Sequence, residues 1–368
     1  MGNNNGKYLR INPKKQKRKK FFRNATLSIL LAVLSLILVV LVVGVIYYNS
    51  VLNQINRFDE NQQTLSSEEI ESVLKEQEIV EDTEPVENIG TLPVEMDSIN
   101  EDEEVIGGRI INVLLIGQDS RSGHQMALSD SMILISVNTE TKKMVMTSFL
   151  RDLYIEIPGS KGGYYTQRMN TAYSVGGMEK LNATIKHNFG VEVDNNIEVD
   201  FSGFKNIVDT LGGLDIELTG AEARHMNRSF PHWTFAEGVN HMNGEQALEY
   251  ARIRKIDNDF VRTERQRTVL GKLFDKVKNM GLTDILGLAK TVIPMITTDM
   301  TNSEITGYIL ELAPILSELE IVTQRVPVDG TWWNANAGTK EEPMYVICCD
   351  LATNRKFLRD TIGVLAEE

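Results

Sequence analysis

One stretch of sequence decides the fold of this chain: Ile111-Asn112-Val113-Leu114-Leu115-Ile116-Gly117-Gln118-Asp119. The run is short and almost wholly apolar, which is typical of a buried β-strand. Its last residue is a carboxylate, and ligands usually bind at strand ends in α/β sheets. The stretch therefore predicts a strand that delivers Asp119 to a site at the edge of a sheet.

Strand-like and helix-like segments alternate from Arg109 onward. The strand candidates are Ile110–Ile116, Met132–Val137, Met144–Phe149, Ile197–Phe201, Leu214–Leu218 and Ile321–Val326. The helix candidates carry apolar stripes at three and four spacing: Phe204, Ile207, Val208 and Leu211 before Gly212-Gly213, then Val269, Leu270, Leu273, Phe274 and Val277, then Ile305, Ile309, Leu312 and Leu316. This alternation predicts an α/β protein in which helices cover the faces of a sheet.

Charge is distributed unevenly along the 368 residues, whose net charge is −13. Residues 1–24 carry nine lysines and arginines and no acid, whereas residues 49–104 carry seventeen acids against Arg57 and Lys75. The acidic total argues against a nucleic-acid partner, because such binding depends on neutralising phosphates. Two cysteines in the whole chain exclude a disulfide-stapled scaffold and a four-cysteine zinc module.

An uncharged segment, Ala25–Tyr48, follows the basic block. As a helix, its 24 residues exceed the roughly 30 Å hydrocarbon core of a bilayer. It ends in Ile46-Tyr47-Tyr48, which is typical of an uncleaved anchor with interfacial tyrosines. The basic residues before it predict a cytoplasmic N-terminus. We therefore expect a single-pass protein of the cell membrane with an extracytoplasmic C-terminal domain.

The sequence thus divides into four regions: a basic cytoplasmic tail (1–24), a transmembrane helix (25–48), an acidic extracytoplasmic linker (49–108) and a folded domain (109–368). The linker has few apolar residues, and its acids repel one another, so we expect a spacer. A fragment from about Arg109 to Glu368 is expected to fold without the anchor.

Two carboxylates lie at neighbouring strand ends. Asp119 follows the first strand, and Asp130 immediately precedes the second. Aspartate is common in turns, so each residue by itself is explained by its turn. Together they can share a hard cation such as Mg²⁺, which prefers oxygen ligands. The third strand ends in Ser148-Phe149-Leu150-Arg151-Asp152, so we expect Arg151 at the same edge of the sheet.

The densest charge lies between Tyr250 and Arg267. Its cations are Arg252, Arg254, Lys255, Arg262, Arg265 and Arg267. A guanidinium binds phosphate through two parallel hydrogen bonds, so the group fits a polyanionic ligand. Salt bridges to Asp257, Asp259 and Glu264 at helical spacing explain the charges equally well, and both interpretations stay open. Residues two positions apart in the chain lie about 200° apart around a helix. Arg252 and Arg254 can therefore act together only where the helix Gly244–Ala251 has ended.

Two further pairs stand out near the C-terminus. Trp332-Trp333 can stack on sugar rings, although an aromatic plug against the core is the more common arrangement. Cys348-Cys349 follow a strand-like Met344–Ile347, and we expect two buried thiols rather than a strained disulfide.

Six blocks of the sequence resemble the LytR–CpsA–Psr cell-wall ligases. They are INVLLIGQDSRS, LSDSMILISVNTETKKMVMTSFLRD, RMNTAYSVGG, FSGFKNIVDTLGGLDIEL, FAEGVNHMNGEQALEYARIR and DFVRTERQR. The blocks stand in the family's order and cover about Ile110 to Lys278. The membrane anchor and exported domain inferred above agree with this resemblance.

The resemblance implies an α/β/α sandwich around a central mixed sheet, with an apolar tunnel for a polyprenyl chain. It implies an Mg²⁺-dependent phosphotransferase of a Gram-positive type of bacterium. Such an enzyme moves an anionic glycopolymer, of teichoic acid or capsular polysaccharide type, from a polyprenyl-pyrophosphate carrier to peptidoglycan. By motif, Asp119 and Asp130 match metal ligands and, with Arg151 and Asp259, catalytic positions. The pyrophosphate-binding positions are matched by Arg151, Arg252, Arg254, Arg262 and Gln266.

Two departures from the family pattern concern head-group binding. Leu128 stands where the family usually has an arginine, and Leu150 where it usually has a proline. Arg121 in the same loop can replace the missing cation. Two other functions fit the same pocket: a polyprenyl-pyrophosphate pyrophosphatase, with water as acceptor, and a non-enzymatic, wall-associated regulator that binds lipid-linked precursors.

Overall fold

The structure is a computed structural model that describes residues 44, 47–58, 89–93, 110–118, 129–159, 162–339 and 343–363. The chain forms two units, Met1–Asn53 and Gln54–Glu368, and the second carries the elements below. The predicted tail and transmembrane segment lie outside the described residues, apart from Gly44, Tyr47 and Tyr48. Within the described part of the chain, no helix is both long enough and apolar enough to cross a membrane.

The elements follow one another in chain order. The strands are β1 (Asn56–Arg57), β2 (Ile89–Gly90), β3 (Ile110–Gln118), β4 (Ser129–Asn138), β5 (Lys143–Phe149), β6 (Tyr154–Pro158), β7 (Tyr164–Arg168), β8 (Asn195–Asp200), β9 (Leu214–Leu218), β10 (Gly238–Met242), β11 (Thr297–Thr298), β12 (Glu320–Val326), β13 (Trp332–Asn336) and β14 (Tyr345–Cys349). The α-helices are α1 (Asn170–Phe189), α2 (Phe201–Thr210), α3 (Gly220–Ser229), α4 (Gly244–Ala251), α5 (Asp259–Val277), α6 (Leu282–Val292), α7 (Asn302–Leu312) and α8 (Leu351–Ile362).

A mixed sheet with the strand order β1-β11-β8-β3-β4-β5-β12 forms the centre of the unit. β3 runs parallel to β8 and antiparallel to β4, and β5 runs antiparallel to β4 and parallel to β12. Smaller sheets join β14-β13-β2, β9-β10 and β6-β7. The predicted α/β class with a central mixed sheet is confirmed.

Both faces of β3 are apolar, which explains its central position. Leu114 and Ile116 pack into a cluster that includes residues of α1 and α8. Ile111 packs into a cluster on the other face, where Leu270 of α5 and Leu312 of α7 also lie. Because successive side chains of a strand point to opposite faces, an unbroken apolar run requires helices on both sides of the sheet.

The predicted strands are confirmed to within three residues at each end, although β9 belongs to the two-stranded β9-β10 sheet rather than to the main sheet. One predicted helical stripe is longer than the helix. α7 ends at Leu312, and Leu316 lies in a separate 3₁₀ turn, Leu316–Glu318. Pro314 stands between them, and a proline cannot donate the hydrogen bond that would continue the helix.

Two short strands come from the acidic segment before Arg109. β1 pairs in parallel with β11, and β2 pairs in parallel with β13. The indole Nε1 of Trp333 donates to the carbonyl of Thr91 at 2.9 Å. This segment therefore contributes to the folded unit at the places that the structure describes.

The two C-terminal residue pairs have distinct environments. Trp333 packs with a small core cluster and is the plug that its sequence suggested, whereas Trp332 packs against Phe260. Cys348 and Cys349 are free thiols inside β14 rather than after it. Burial raises the pKa of the Cys348 thiol to about 11 and that of Cys349 to about 12, so both are protonated at neutral pH.

Candidate functional site

Four strands of the main sheet end, and a fifth begins, along the same edge of the sheet, the one that lies across the strand ends. The parallel pair β3 and β8 ends together, with Gln118 opposite Asp200. The parallel pair β5 and β12 also ends together, with Phe149 opposite Val326. β4 runs the other way and begins at this edge. Asp119, one residue beyond β3, lies outside the described residues.

The backbone after β5 fixes the position of Arg151. Leu150 N donates to the carbonyl of Val326 at 3.1 Å, which ties the end of β5 to β12. The chain then forms the β6-β7 hairpin and returns, so that Asn170 N donates to the carbonyl of Arg151 at 3.1 Å. This return brings Arg168, seventeen residues along the chain, next to Arg151 and Asp152.

Asp152 lies between these two arginines. Its Oδ2 is 3.5 Å from Nε of Arg151, and its Oδ1 is 4.0 Å from Nε of Arg168. Burial by itself would raise the pKa of Asp152, but Arg151, Arg168 and two further arginines outweigh burial and lower it. Asp152 is therefore ionised at neutral pH and holds the guanidinium of Arg151.

Asp130 contacts the same arginine from the start of β4. Its Oδ1 lies 3.4 Å from Nη1 of Arg151, whose side chain is 10% exposed. The carboxylate thus sits at the sheet edge, where its sequence position predicted it. Asp130 also acts electrostatically on Arg254 and Arg262.

The first turn of α5 supplies the next ion pair. Asn258 caps this helix by accepting a hydrogen bond from Val261 N at 3.3 Å. Asp259 Oδ1 lies 2.6 Å from Nη2 of Arg262, which is 3% exposed. Burial lowers the pKa of Arg262 to about 10; Asp259 opposes this, whereas Arg151 adds to it. Arg262 is therefore a desolvated cation that remains charged at neutral pH.

Arg254 completes the group from the loop between α4 and α5. It is exposed. Its pKa lies below the ordinary value because surrounding protein displaces water and because Arg151 is near, while Asp259 and Asp130 act in the opposite direction. We call Arg151, Arg168, Arg254 and Arg262, with Asp130, Asp152 and Asp259, the arginine cluster. It holds four cations and three carboxylates, so its own net charge is positive. A polyanion can therefore bind to it without electrostatic repulsion from the cluster as a whole.

Arg252 has different neighbours. Helix α4 ends at Ala251, as predicted, and the guanidinium of Arg252 lies 4.7 Å from the ring centroid of Phe201. Its Nη1 is 3.0 Å from Oε1 of Glu249. These contacts lie outside the arginine cluster, although Phe201 directly follows the end of β8 at the same sheet edge. Gln266 lies on the side of α5 that carries Asp259 and Arg262, since seven and four residues separate them.

Arg265 belongs to the fold. It is 3% exposed, and its Nε lies 2.6 Å from Oε1 of Glu222 on α3. Its Nη1 donates to Asp257 at 3.1 Å and to the carbonyl of Ile253 at 3.1 Å. The salt-bridge interpretation is therefore correct for Arg265 and for the Arg262–Asp259 pair, although Arg262 also lies near the cations Arg151 and Arg254.

Two members of the arginine cluster were absent from the sequence-based set of site residues. Asp152 ends the block that contains Arg151, and Arg168 begins the block RMNTAYSVGG. Both therefore stood inside the blocks that carry the family resemblance. Their contact depends on the β6-β7 hairpin, which no local pattern foretells.

The described carboxylates suit a magnesium ion bound partly by substrate. Mg²⁺ commonly takes one or two carboxylates, keeps several waters and binds substrate phosphates. Asp130 lies in the arginine cluster, where its Oδ1 is 3.4 Å from Nη1 of Arg151. The described residues contain no group of three or more His, Cys, Asp or Glu side chains that could hold a metal by themselves. Asp119 would be a further oxygen ligand.

The chain belongs to the LytR_cpsA_psr family, whose sequence model matches residues 66–344. It is 32% identical over 176 residues to the polyisoprenyl-teichoic acid–peptidoglycan teichoic acid transferase TagV of Bacillus subtilis. This alignment covers 46% of this chain and 44% of TagV. It is 35% identical over 193 residues to the corresponding transferase TagU of Bacillus licheniformis. That alignment covers 52% of this chain and 60% of TagU. The matches thus span about half the length of these relatives.

The fold is also similar to that of a solved protein, TagT of B. subtilis bound to LIIa-WTA. The TM-score is 0.56 at 24% identity, and the alignment covers 75% of this chain and all of that one. This likeness supports the fold.

Proposed function

We propose that this protein is a membrane-anchored phosphotransferase. It moves an anionic glycopolymer, of teichoic acid or capsular polysaccharide type, from a polyprenyl-pyrophosphate carrier to peptidoglycan. The observation that carries the proposal is the arginine cluster at the sheet edge, where Arg151 and Arg262 are buried cations and Arg254 is open to a ligand. The names of the teichoic acid transferases TagV and TagU support the same reaction class.

Binding of the diphosphate is the first task of the site. Arg151, Arg254 and Arg262 donate hydrogen bonds to phosphate oxygens, and Arg252 and Gln266 complete the proposed set. Asp152 and Asp130 orient Arg151, since their carboxylates contact its Nε and its Nη1. Asp119 and Asp130 would hold Mg²⁺, which would supply further neutralisation of the diphosphate charge.

Transfer follows as a displacement at phosphorus. An acceptor hydroxyl oxygen of peptidoglycan bonds to the phosphorus next to the glycan, and the bond from that phosphorus to the bridging oxygen breaks. The carrier leaves as polyprenyl phosphate, and the hydroxyl proton passes to a carboxylate. We assign this role to Asp259, because its Oδ2 accepts no hydrogen bond from the described residues. Phosphoryl transfer needs mainly positioning and charge stabilisation, which fixed arginines provide.

Product analysis tests the reaction. The full-length chain in mild detergent is incubated with a lipid-pyrophosphate oligosaccharide, Mg²⁺ and a peptidoglycan fragment. We expect the oligosaccharide phosphate on the fragment and polyprenyl phosphate as the second product. Hydrolysis with water as the acceptor would identify a pyrophosphatase. Tight binding without turnover would identify a regulator.

Conservative variants test the site. Arg254→Lys keeps the charge but loses the planar fork, so transfer should fall at least tenfold, about 1.4 kcal/mol of transition-state stabilisation, with an unchanged melting temperature. The same activity loss is expected for Arg252→Lys. Arg265→Lys is the matched control, because it should melt earlier yet transfer normally while folded. An early-melting Arg254→Lys variant with normal transfer would overturn the assignment.

The proposed anchor has its own test. Protease added to intact cells should digest the chain beyond Tyr48 and spare the basic N-terminus. Protection of the C-terminal domain would reverse the proposed orientation.

A further inference from the structure

A cleft lies beside the N-terminal half of α5. Its volume is about 230 Å³, and its walls include Phe260, Glu264, Arg267, Arg325, Asp329 and Trp332. Pockets for whole drug-sized ligands usually measure about 300–1,000 Å³. The cleft is therefore suited to one residue of a larger ligand.

The cleft and the arginine cluster lie on different sides of α5. At about 100° per residue, Asp259, Arg262 and Gln266 fall within roughly 60° of one another. Phe260 and Arg267 lie more than about 100° from the middle of that group. The cleft is thus separate from the cluster, although one helix carries residues of both.

Arg267 is the unusual residue of the cleft. Its side chain is buried, with 7% of the residue exposed. Its Nε and Nη1 are buried and donate to no acceptor within the described part of the chain. Burying a charged donor without a partner costs free energy, so these nitrogens indicate an absent anion. Burial lowers the pKa of Arg267 to about 10, which leaves it charged at neutral pH.

Arg325 and two aromatic rings form the remaining wall. The Arg325 guanidinium lies 4.4 Å from the ring centroid of Phe260, and that ring lies 4.4 Å from the ring of Trp332. Arg325 also donates to the carbonyl of Pro327 and pairs with Asp329, whose side chain is 88% exposed. Glu264 is exposed as well. The carboxylates therefore lie in solvent, while the arginines are largely shielded from it.

We propose that this cleft binds one anionic sugar residue, with its carboxylate or phosphate on Arg267 and Arg325 and its ring against Trp332. An indole offers a large apolar surface and an N–H donor to a sugar, and guanidinium groups bind both kinds of anion. That the ligand is a sugar rests on the proposed function, whereas the anion site rests on Arg267. Such a residue occurs in an anionic glycopolymer and also in peptidoglycan, where a muramic acid that carries no stem peptide has a free lactyl carboxylate.

Calorimetric titration of the full-length chain tests the proposal. The probes are glucose 6-phosphate, glucuronic acid, N-acetylmuramic acid, glucose and inorganic phosphate. An anionic sugar should bind at least tenfold more tightly than glucose. Preference for glucose 6-phosphate or glucuronic acid assigns the cleft to the glycopolymer, and preference for N-acetylmuramic acid assigns it to peptidoglycan.

Four variants separate binding from folding. Arg267→Gln should weaken anionic-sugar binding at least tenfold with an unchanged or higher melting temperature, because it removes an unpaired buried charge. Arg228→Gln, an exposed arginine on α3, is the matched control and should bind normally. Trp332→Leu should weaken sugar binding but leave inorganic phosphate binding unchanged. If Arg267→Gln does not fold, Arg267→Lys keeps the charge and should still lose affinity.

Equal binding of glucose and glucose 6-phosphate, no binding of any probe, or normal binding by a folded Arg267→Gln variant would overturn the proposal. Loss of stability in Arg267→Gln with retained affinity would show a structural role and also overturn it. The titration needs no turnover. A chain that binds anionic sugars but transfers nothing therefore rejects the proposed function and supports the cleft.

Discussion

Asp152→Asn keeps the shape of a largely buried side chain and removes its charge, and it should destabilise the protein by about 3 kcal/mol. With an effective dielectric constant of about 20, ion pairs at 3.5 and 4.0 Å have gross Coulomb energies of about 5 and about 4 kcal/mol. Desolvation offsets much of this attraction, and removing one partner of a buried pair typically costs about 3–5 kcal/mol. We take the lower end of this energy range because 17% of the Asp152 side chain is exposed to solvent.

The effect should depend on pH in a defined direction. Arg151 and Arg168 overcome the effect of burial and lower the pKa of Asp152 below its ordinary value of 3.8. The ionised form is thus stabilised by folding, so its contribution is complete above pH 3.8 and is lost as the pH falls through the lower folded-state pKa. The stability difference between the wild type and Asp152→Asn should be full at pH 7 and shrink in strong acid.

Thermal melts of the full-length chain measure this difference. At about 2.1 cal/mol/K of unfolding entropy per residue, about 3 kcal/mol corresponds to a decrease of roughly 4–5 °C for the unit Gln54–Glu368. Asp360→Asn, which removes an exposed partner of Lys356, should change the melting temperature little and serves as the control. A decrease below 2 °C at pH 7, or one that persists unchanged in strong acid, would refute the reasoning.

Three further predictions concern other parts of the molecule. Glu222→Gln leaves the buried Arg265 with one carboxylate partner and should cost about 2–4 kcal/mol in a urea titration, without changing transfer per folded molecule; a transfer defect at full stability would contradict a purely structural role. Cys349, whose thiol pKa is raised by burial to about 12, should react with iodoacetamide at pH 7.5 far more slowly in the folded than in the unfolded protein, as mass spectrometry would show. A fragment Gln54–Glu368 should melt at a higher temperature than Arg109–Glu368, because only the longer one retains β1 and β2; equal melting temperatures would show that these strands contribute nothing.

Local sequence patterns were sufficient for most of the sheet. The run Ile110–Ile116 has no polar residue except Asn112, and only a strand between two helical layers can bury such a run. The end of α4 at Ala251 was likewise predicted from the positions of two arginines. The break between α7 and Leu316 was missed because the apolar spacing continues across Pro314, where the backbone cannot remain helical.

The candidate site divides in the same way. The family-like blocks named Asp130, Arg151, Arg254, Asp259 and Arg262, and the structure brings these five together. Which arginines face a ligand and which hold the fold was undecidable from spacing, since both uses place acids three and four residues away.

The sequence by itself determined the alternation of strands and helices, the carboxylate at a strand end and the concentration of arginine, because each depends on residues close together along the chain. Only the tertiary structure decided the partners of the charges. Arg265 is neutralised by Glu222 from α3, Arg168 reaches Asp152 through a hairpin, and Arg267 and Arg325, which are distant in sequence, line one cleft. The energy of a charge depends on burial and on every charge within a few ångströms, and these distances are set by the packing of distant segments.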